Sequence, residues 1–90
     1  MIIADVVLKN RTVLAPLAGW TDSIFRAICR QYGVALVVTE MASADGLVRD
    51  GQKSLEIARF NEDERPVSIQ LFGAEAETLA QAAQIVSRLK

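Results

Sequence analysis

Few side chains in this ninety-residue chain are equipped for chemistry. There is no histidine and only one cysteine, Cys29, so a zinc site, a histidine-based catalytic triad and an internal disulfide are all unavailable within it. What remains is polar groups placed at the ends of apolar runs. Gln70 lies inside VSIQLF, where strand alternation sets Val67, Ile69 and Leu71 on one face and Ser68, Gln70 and Phe72 on the other. A glutamine turned toward a packed interior must satisfy both amide hydrogens and its carbonyl, and a group left unpaired costs about 1–3 kcal/mol. A ligand whose edge both donates and accepts would meet that demand, and so would a neighbouring side chain or a water. Glu40 follows another apolar run, beside Thr39 and Met41. It is suited either to contact a ligand or RNA or to accept backbone hydrogen bonds from the loop after it.

A third stretch, LAPLAGWTDSIFR from Leu14 to Arg26, packs a proline, a glycine and the lone tryptophan into one turn. Its plainest reading is structural: Pro16 ends a strand, Gly19 permits a tight bend and Trp20 fills a gap. The turn has neither G-x-G-x-x-G nor the P-loop lysine pattern, which counts against a dinucleotide or nucleoside-triphosphate fingerprint.

The elements that position these groups alternate along the chain. Thr12–Pro16 reads as a short buried strand. Ile24, Phe25, Ile28, Cys29 and Tyr32 then recur at helical spacing and are expected to face the core, with Thr21 or Asp22 as N-cap and Gly33 as a left-handed C-terminal cap. On that spacing Cys29 is a small packing residue without a catalytic role. Val34–Thr39 is apolar on both faces, as in parallel sheets covered by helices. EMASADGLVRDGQ reads as a polar connection, Ser54–Phe60 as a short helix and NEDER (Asn61–Arg65) as solvated surface. Arg49 and Lys53 are suited to RNA phosphates, but Asp45 and Asp50 offset them, which favours a solvated loop. Pro66 opens the VSIQLF strand, and Glu75–Lys90 is helical, with Leu79, Ala83, Val86 and Leu89 as its buried stripe.

Length, charge and hydropathy bound the rest. Ninety residues make at most one small domain, and 51% apolar with 23% charged residues is an ordinary globular balance. A formal net charge of −1 provides no basic footprint for nucleic acid. No run approaches the ~20 apolar residues of a membrane span, and Asp5 interrupts the N-terminal apolar stretch where a signal peptide would need continuity. The expectation is a cytoplasmic protein with no membrane partner. The order strand–helix repeated three times predicts an α/β fold with a parallel sheet, either doubly wound or part of a (β/α)₈ barrel; both gather ligands at the carboxyl ends of the strands.

Three motifs together carry a resemblance. LAPLAGWTDSIFR, VVTEM and RPVSIQLFG, in this order, are similar to the N-terminal part of the bacterial tRNA-dihydrouridine synthases, with Leu17 where that family usually has methionine. The resemblance implies a fold, an activity and cofactors. Residues 1–90 would be the N-terminal fragment of an FMN-binding TIM-barrel domain, about its first three βα units, since a whole barrel takes ~250 residues. The activity implied is reduction of uridine to 5,6-dihydrouridine in tRNA, with NADPH as electron donor through FMN. Pro16, Leu17, Ala18 and Gln70 would bind the flavin. No catalytic residue is expected in this chain, because the family's cysteine lies in an Asn-x-Gly-Cys-Pro motif that it does not contain, and no metal site is expected. The ninety residues alone would then be inactive, would meet tRNA mainly through regions outside them, and would self-associate through open strand edges. Two other readings compete: a different FMN barrel oxidoreductase, of the dihydroorotate dehydrogenase type, and a non-catalytic self-associating βα module.

Overall fold

The computed structural model describes residues 1–89; Lys90, expected at the end of the last helix, lies outside them. An antiparallel hairpin comes first, β1 (Ile2–Ile3) with β2 (Val6–Val7), turning through Ala4 at φ 52°. The strands β3 (Val13–Leu14), β4 (Leu36–Val38) and β6 (Val67–Ser68) then form a parallel sheet in that order. A second parallel pair, β5 (Ala42–Ser43) with β7 (Leu71–Phe72), follows directly beyond β4 and β6 along the chain. VSIQLF is thus not one strand but two, broken at Ile69–Gln70, and its neighbour is broken at the matching level by Thr39–Met41.

Helix α1 (Ser23–Gln31) forms where the spacing places it. Asp22 caps its start by accepting the Phe25 N–H at 2.9 Å, and Gly33 follows it at φ +101°, a conformation that only a residue without Cβ adopts freely. The face it buries is not the expected one. Ile24, Phe25, Ile28 and Tyr32 are exposed and Cys29 is half-buried, while Arg26 is buried. The reason is polar anchoring. Arg26 and Arg30 lie on the inner side, where Arg26 bonds Glu64 and two carbonyls, and Arg30 donates to Ala35 O at 2.5 Å and to the Arg65 carbonyl. A helix of nine residues that turns these two side chains inward turns the opposite, apolar side outward.

The polar connection after β4 is more structured than its composition suggests. Besides β5 it holds helix α2 (Ala44–Val48), capped by the Ser43 hydroxyl on the Gly46 N–H at 3.1 Å. Helix α3 (Gln52–Ala58) starts and ends two residues before its expected stretch, and α4 (Ala76–Ser87) follows its expected stretch with shorter bounds. The main core lies between these three helices and β5–β7. It consists of Ala42, Ala44, Leu47, Ala58 and Ala82, with Leu55, Ile69, Leu71, Leu79, Val86 and Leu89 packed around it. Ala82, not Ala83, completes the α4 stripe, and Ala83 is exposed. Small residues here let α2 lie close to α4.

NEDER is also not simply solvated. Glu62–Glu64 forms one 3₁₀ turn in which Asn61 and Glu64 make a reciprocal capping box, and Glu64 is fully buried. No helix among the described residues is long and apolar enough to cross a membrane.

Candidate functional site

Three chain segments meet at the carboxyl ends of the strands, and hydrogen bonds join them in series. The first is the turn after β3. Trp20 N and Thr21 N both donate to the Leu17 carbonyl, at 2.9 and 3.0 Å. The Thr21 hydroxyl accepts the Leu17 N–H at 2.9 Å and donates to Leu17 O at 3.2 Å, so both polar groups of one peptide residue are tied to one buried side chain. Gly19 sits at φ +82°, the value demanded at the third position of a type II turn. The effect is to present the Pro16–Ala18 backbone with Pro16 half-buried and Leu17, Ala18 and Trp20 exposed.

The second segment is the end of β4. Glu40 reaches across to the turn and accepts the Gly19 N–H through Oε1. Of the two roles open to it, the backbone-accepting one is what the structure shows, although its partner is the first turn and not its own loop. Thr39 is fully buried, and its hydroxyl donates to the Glu40 carbonyl at 3.0 Å.

The third segment is the break between β6 and β7. Thr39 Oγ1 accepts the Gln70 N–H at 3.1 Å, and Gln70 O accepts the Ala42 N–H at 2.9 Å. The Gln70 backbone is therefore fully bonded. Its side-chain Oε1 is buried and has no hydrogen-bond partner among the described residues. Native structures rarely leave a buried acceptor unpaired, and such a group calls for a ligand or water with a hydrogen to donate. A flavin ring fits this requirement, having both donor and acceptor atoms on its edge.

A series Leu17–Thr21, Gly19–Glu40–Thr39–Gln70 thus connects the turn to the amide. The sequence offers Thr21 only as an alternative N-cap and Thr39 only as a neighbour of Glu40; in the structure Thr21 ties Leu17 within its own turn, and Thr39 binds Gln70 across the sheet. A cleft of about 690 Å³ adjoins this series at Glu40 and is also lined by Asp22, Arg26, Lys53, Arg59 and Asn61 among others, but by none of Pro16, Leu17, Ala18 or Gln70. Arg49 is exposed at the C-cap of α2 and Lys53 lies in α3 on the wall of that cleft, so the stretch expected as a solvated loop is largely helical.

The sequence model of the dihydrouridine synthase (Dus) family matches residues 13–90, which contain every member of this series. The chain belongs to the dihydrouridine synthase family. It is 44% identical over 84 residues to tRNA-dihydrouridine synthase B of Shewanella oneidensis, covering 93% of this chain and 26% of that protein. It is 41% identical over 80 residues to a probable tRNA-dihydrouridine synthase of Aquifex aeolicus, covering 89% and 25%. With tRNA-dihydrouridine synthase B of Pseudomonas aeruginosa the identity is 43% over 83 residues, 91% and 25%. The chain thus spans about a quarter of the length of the curated relatives it matches.

Proposed function

We propose that the protein to which these residues belong is a flavin-dependent tRNA-dihydrouridine synthase, working in the cytoplasm, and that this chain forms one wall of its FMN site. The observation that carries the proposal is the buried, unpartnered Gln70 Oε1 beside the strand ends. Pro16, Leu17 and Ala18 would approach the flavin with their backbone, and Gln70 would bond its ring edge. Held by these residues, FMN would supply hydride chemistry for reduction of the uracil double bond of a tRNA uridine, with NADPH as the source of electrons. The residues of this chain bind and orient: Thr21 and Glu40 fix the turn, and Thr39 fixes the Gln70 backbone. By the family resemblance the general acid would be a cysteine outside residues 1–90, and these residues alone would then be inactive.

The sequential order of parallel strands β3, β4 and β6 fits both a (β/α)₈ barrel and the first half of a doubly wound sheet, and membership of the dihydrouridine synthase family favours the barrel. In that fold residues 1–90 would supply about the first three βα units of the FMN-binding domain. That its relatives are tRNA-dihydrouridine synthases by name favours tRNA as the substrate over a free small molecule. The test is to purify the full-length protein, determine whether FMN co-purifies, and incubate it with unmodified tRNA and NADPH. Dihydrouridine above a no-enzyme control is the expected result. A flavin-loaded protein that leaves uridine intact but oxidises NADPH on another substrate would overturn the tRNA assignment.

A further inference from the structure

The Leu17–Thr21 turn is fixed from below by a buried ion pair that lies outside it. Arg26 is 2% exposed and Glu64 0%. Arg26 Nε donates to Glu64 Oε1 at 2.5 Å, Nη1 to the Thr21 carbonyl at 2.7 Å and Nη2 to the Arg59 carbonyl at 3.2 Å. Glu64 Oε2 accepts the Asn61 N–H at 2.8 Å. All three guanidinium nitrogens and both carboxylate oxygens are engaged. A buried ion pair adds little net stability compared with apolar residues of the same volume. What a planar guanidinium does supply is fixed geometry, and here it sets three segments relative to one another: the first turn, the end of α3 and the 3₁₀ turn.

We infer that Arg26, held by Glu64, is a positioning residue for the Pro16–Ala18 backbone. It fixes the Thr21 carbonyl. The Thr21 hydroxyl, which cannot shift once its own peptide is held, then fixes the amide and carbonyl of Leu17. Flavin affinity therefore depends on a side chain that does not touch the flavin. The inference rests on the reading of Pro16, Leu17 and Ala18 as flavin-facing.

The experiment uses the full-length protein and three variants. Arg26→Lys keeps a cation beside Glu64 but loses the fork. Thr21→Val keeps the shape and removes the hydroxyl, and Thr21→Ser restores it. In Arg26→Lys and Thr21→Val the FMN dissociation constant is expected to rise about fivefold, the scale of one lost hydrogen bond. In the flavin-free protein, amide hydrogen exchange at Leu17 and Trp20 should accelerate while that of α4 stays unchanged. Thr21→Ser should return both quantities to the wild-type values. Unchanged exchange at Leu17 and Trp20 overturns the inference, and so does faster exchange with an unaltered FMN dissociation constant. Wild-type protein that does not bind FMN overturns the flavin reading of the turn, and with it the inference about flavin affinity. If Arg26→Lys does not fold, the double variant Arg26→Met with Glu64→Leu, which leaves no buried charge, carries the same two readouts for Arg26.

Discussion

The buried Thr39 hydroxyl holds the Gln70 amide in place: it accepts the Gln70 N–H at 3.1 Å and donates to the Glu40 carbonyl at 3.0 Å. One side chain thereby links the ends of two neighbouring strands at the level where both ladders break. The break frees Gln70 from regular pairing, and Thr39 replaces the ladder bond it loses.

Replacing Gln70 with leucine separates ligand binding from folding. In the full-length protein Gln70→Leu should raise the FMN dissociation constant about tenfold, as loss of a hydrogen bond of ~1.4 kcal/mol would. The flavin-free variant should melt at the wild-type temperature or above, because a buried acceptor without a partner has been removed. Flavin fluorescence titration and calorimetry check the two halves. A wild-type dissociation constant would make Gln70 a structural residue.

Thr39→Val should behave in the opposite way. It leaves the Gln70 N–H without its acceptor, at a cost of about 1–3 kcal/mol, and this loss should appear with or without flavin. Urea denaturation of the flavin-free protein measures it, and an unchanged midpoint would show that the Gln70 amide finds another partner.

Glu40 acts through one oxygen on the Gly19 N–H. Glu40→Gln retains an acceptor and should keep near-normal FMN affinity, whereas Glu40→Ala should weaken it severalfold, about 1 kcal/mol. Equal loss in both variants would point to the charge of Glu40, and not its bond to the turn, as the quantity that matters.

Truncating Glu64 to alanine strands the Arg26 charge in the interior, and the expected destabilisation is about 3–5 kcal/mol. The double variant Arg26→Met with Glu64→Leu should recover most of that stability, since no charge is then left buried. Paired denaturation curves test this, and a double variant as unstable as Glu64→Ala would count against it.

The exposed side of α1 makes a separate prediction. Ile24 is 70% exposed and Tyr32 87%, with Phe25 and Ile28 between them, and β3 and β6 are the edges of their sheet. Residues 1–90 expressed alone should sediment as a species larger than the monomer, and Ile28→Lys with Tyr32→Lys should shift it toward the monomer. A compact wild-type monomer with a sharp melt would refute the prediction.

What was legible in the sequence was local. The Asp22 cap and Gly33 bracket α1 because capping chemistry lies within a few residues of the helix end. The alternation in VSIQLF separates Ile69 and Leu71, which pack on the core, from Gln70. The face of α1 was misread because periodicity sees apolar spacing and not the partners of Arg26, which lie 33 and 38 residues onward. Glu64 was hidden in a run of charges, though Asn61 three positions before it is a capping-box signature. The five-residue helix α2 and the two-residue strand β5 are too short for any period to register. The Thr39–Gln70 bond spans 31 residues and no local pattern encodes it.

The ion pair also imposes an order in time. Arg26 precedes Glu64 by 38 residues. At the ~5–20 residues per second of ribosomal synthesis, Arg26 waits about 2–8 seconds for its partner to be made. During that interval the first helix can form, but its guanidinium has no carboxylate to meet, and the turn ahead of it lacks its lower anchor. The third strand follows Glu64 within a few residues, so the turn after the first strand and the segment bearing Gln70 become complete almost together. A nascent chain should therefore not display half of this site for long once Glu64 is made: the arginine made early is set by the glutamate that shortly precedes β6.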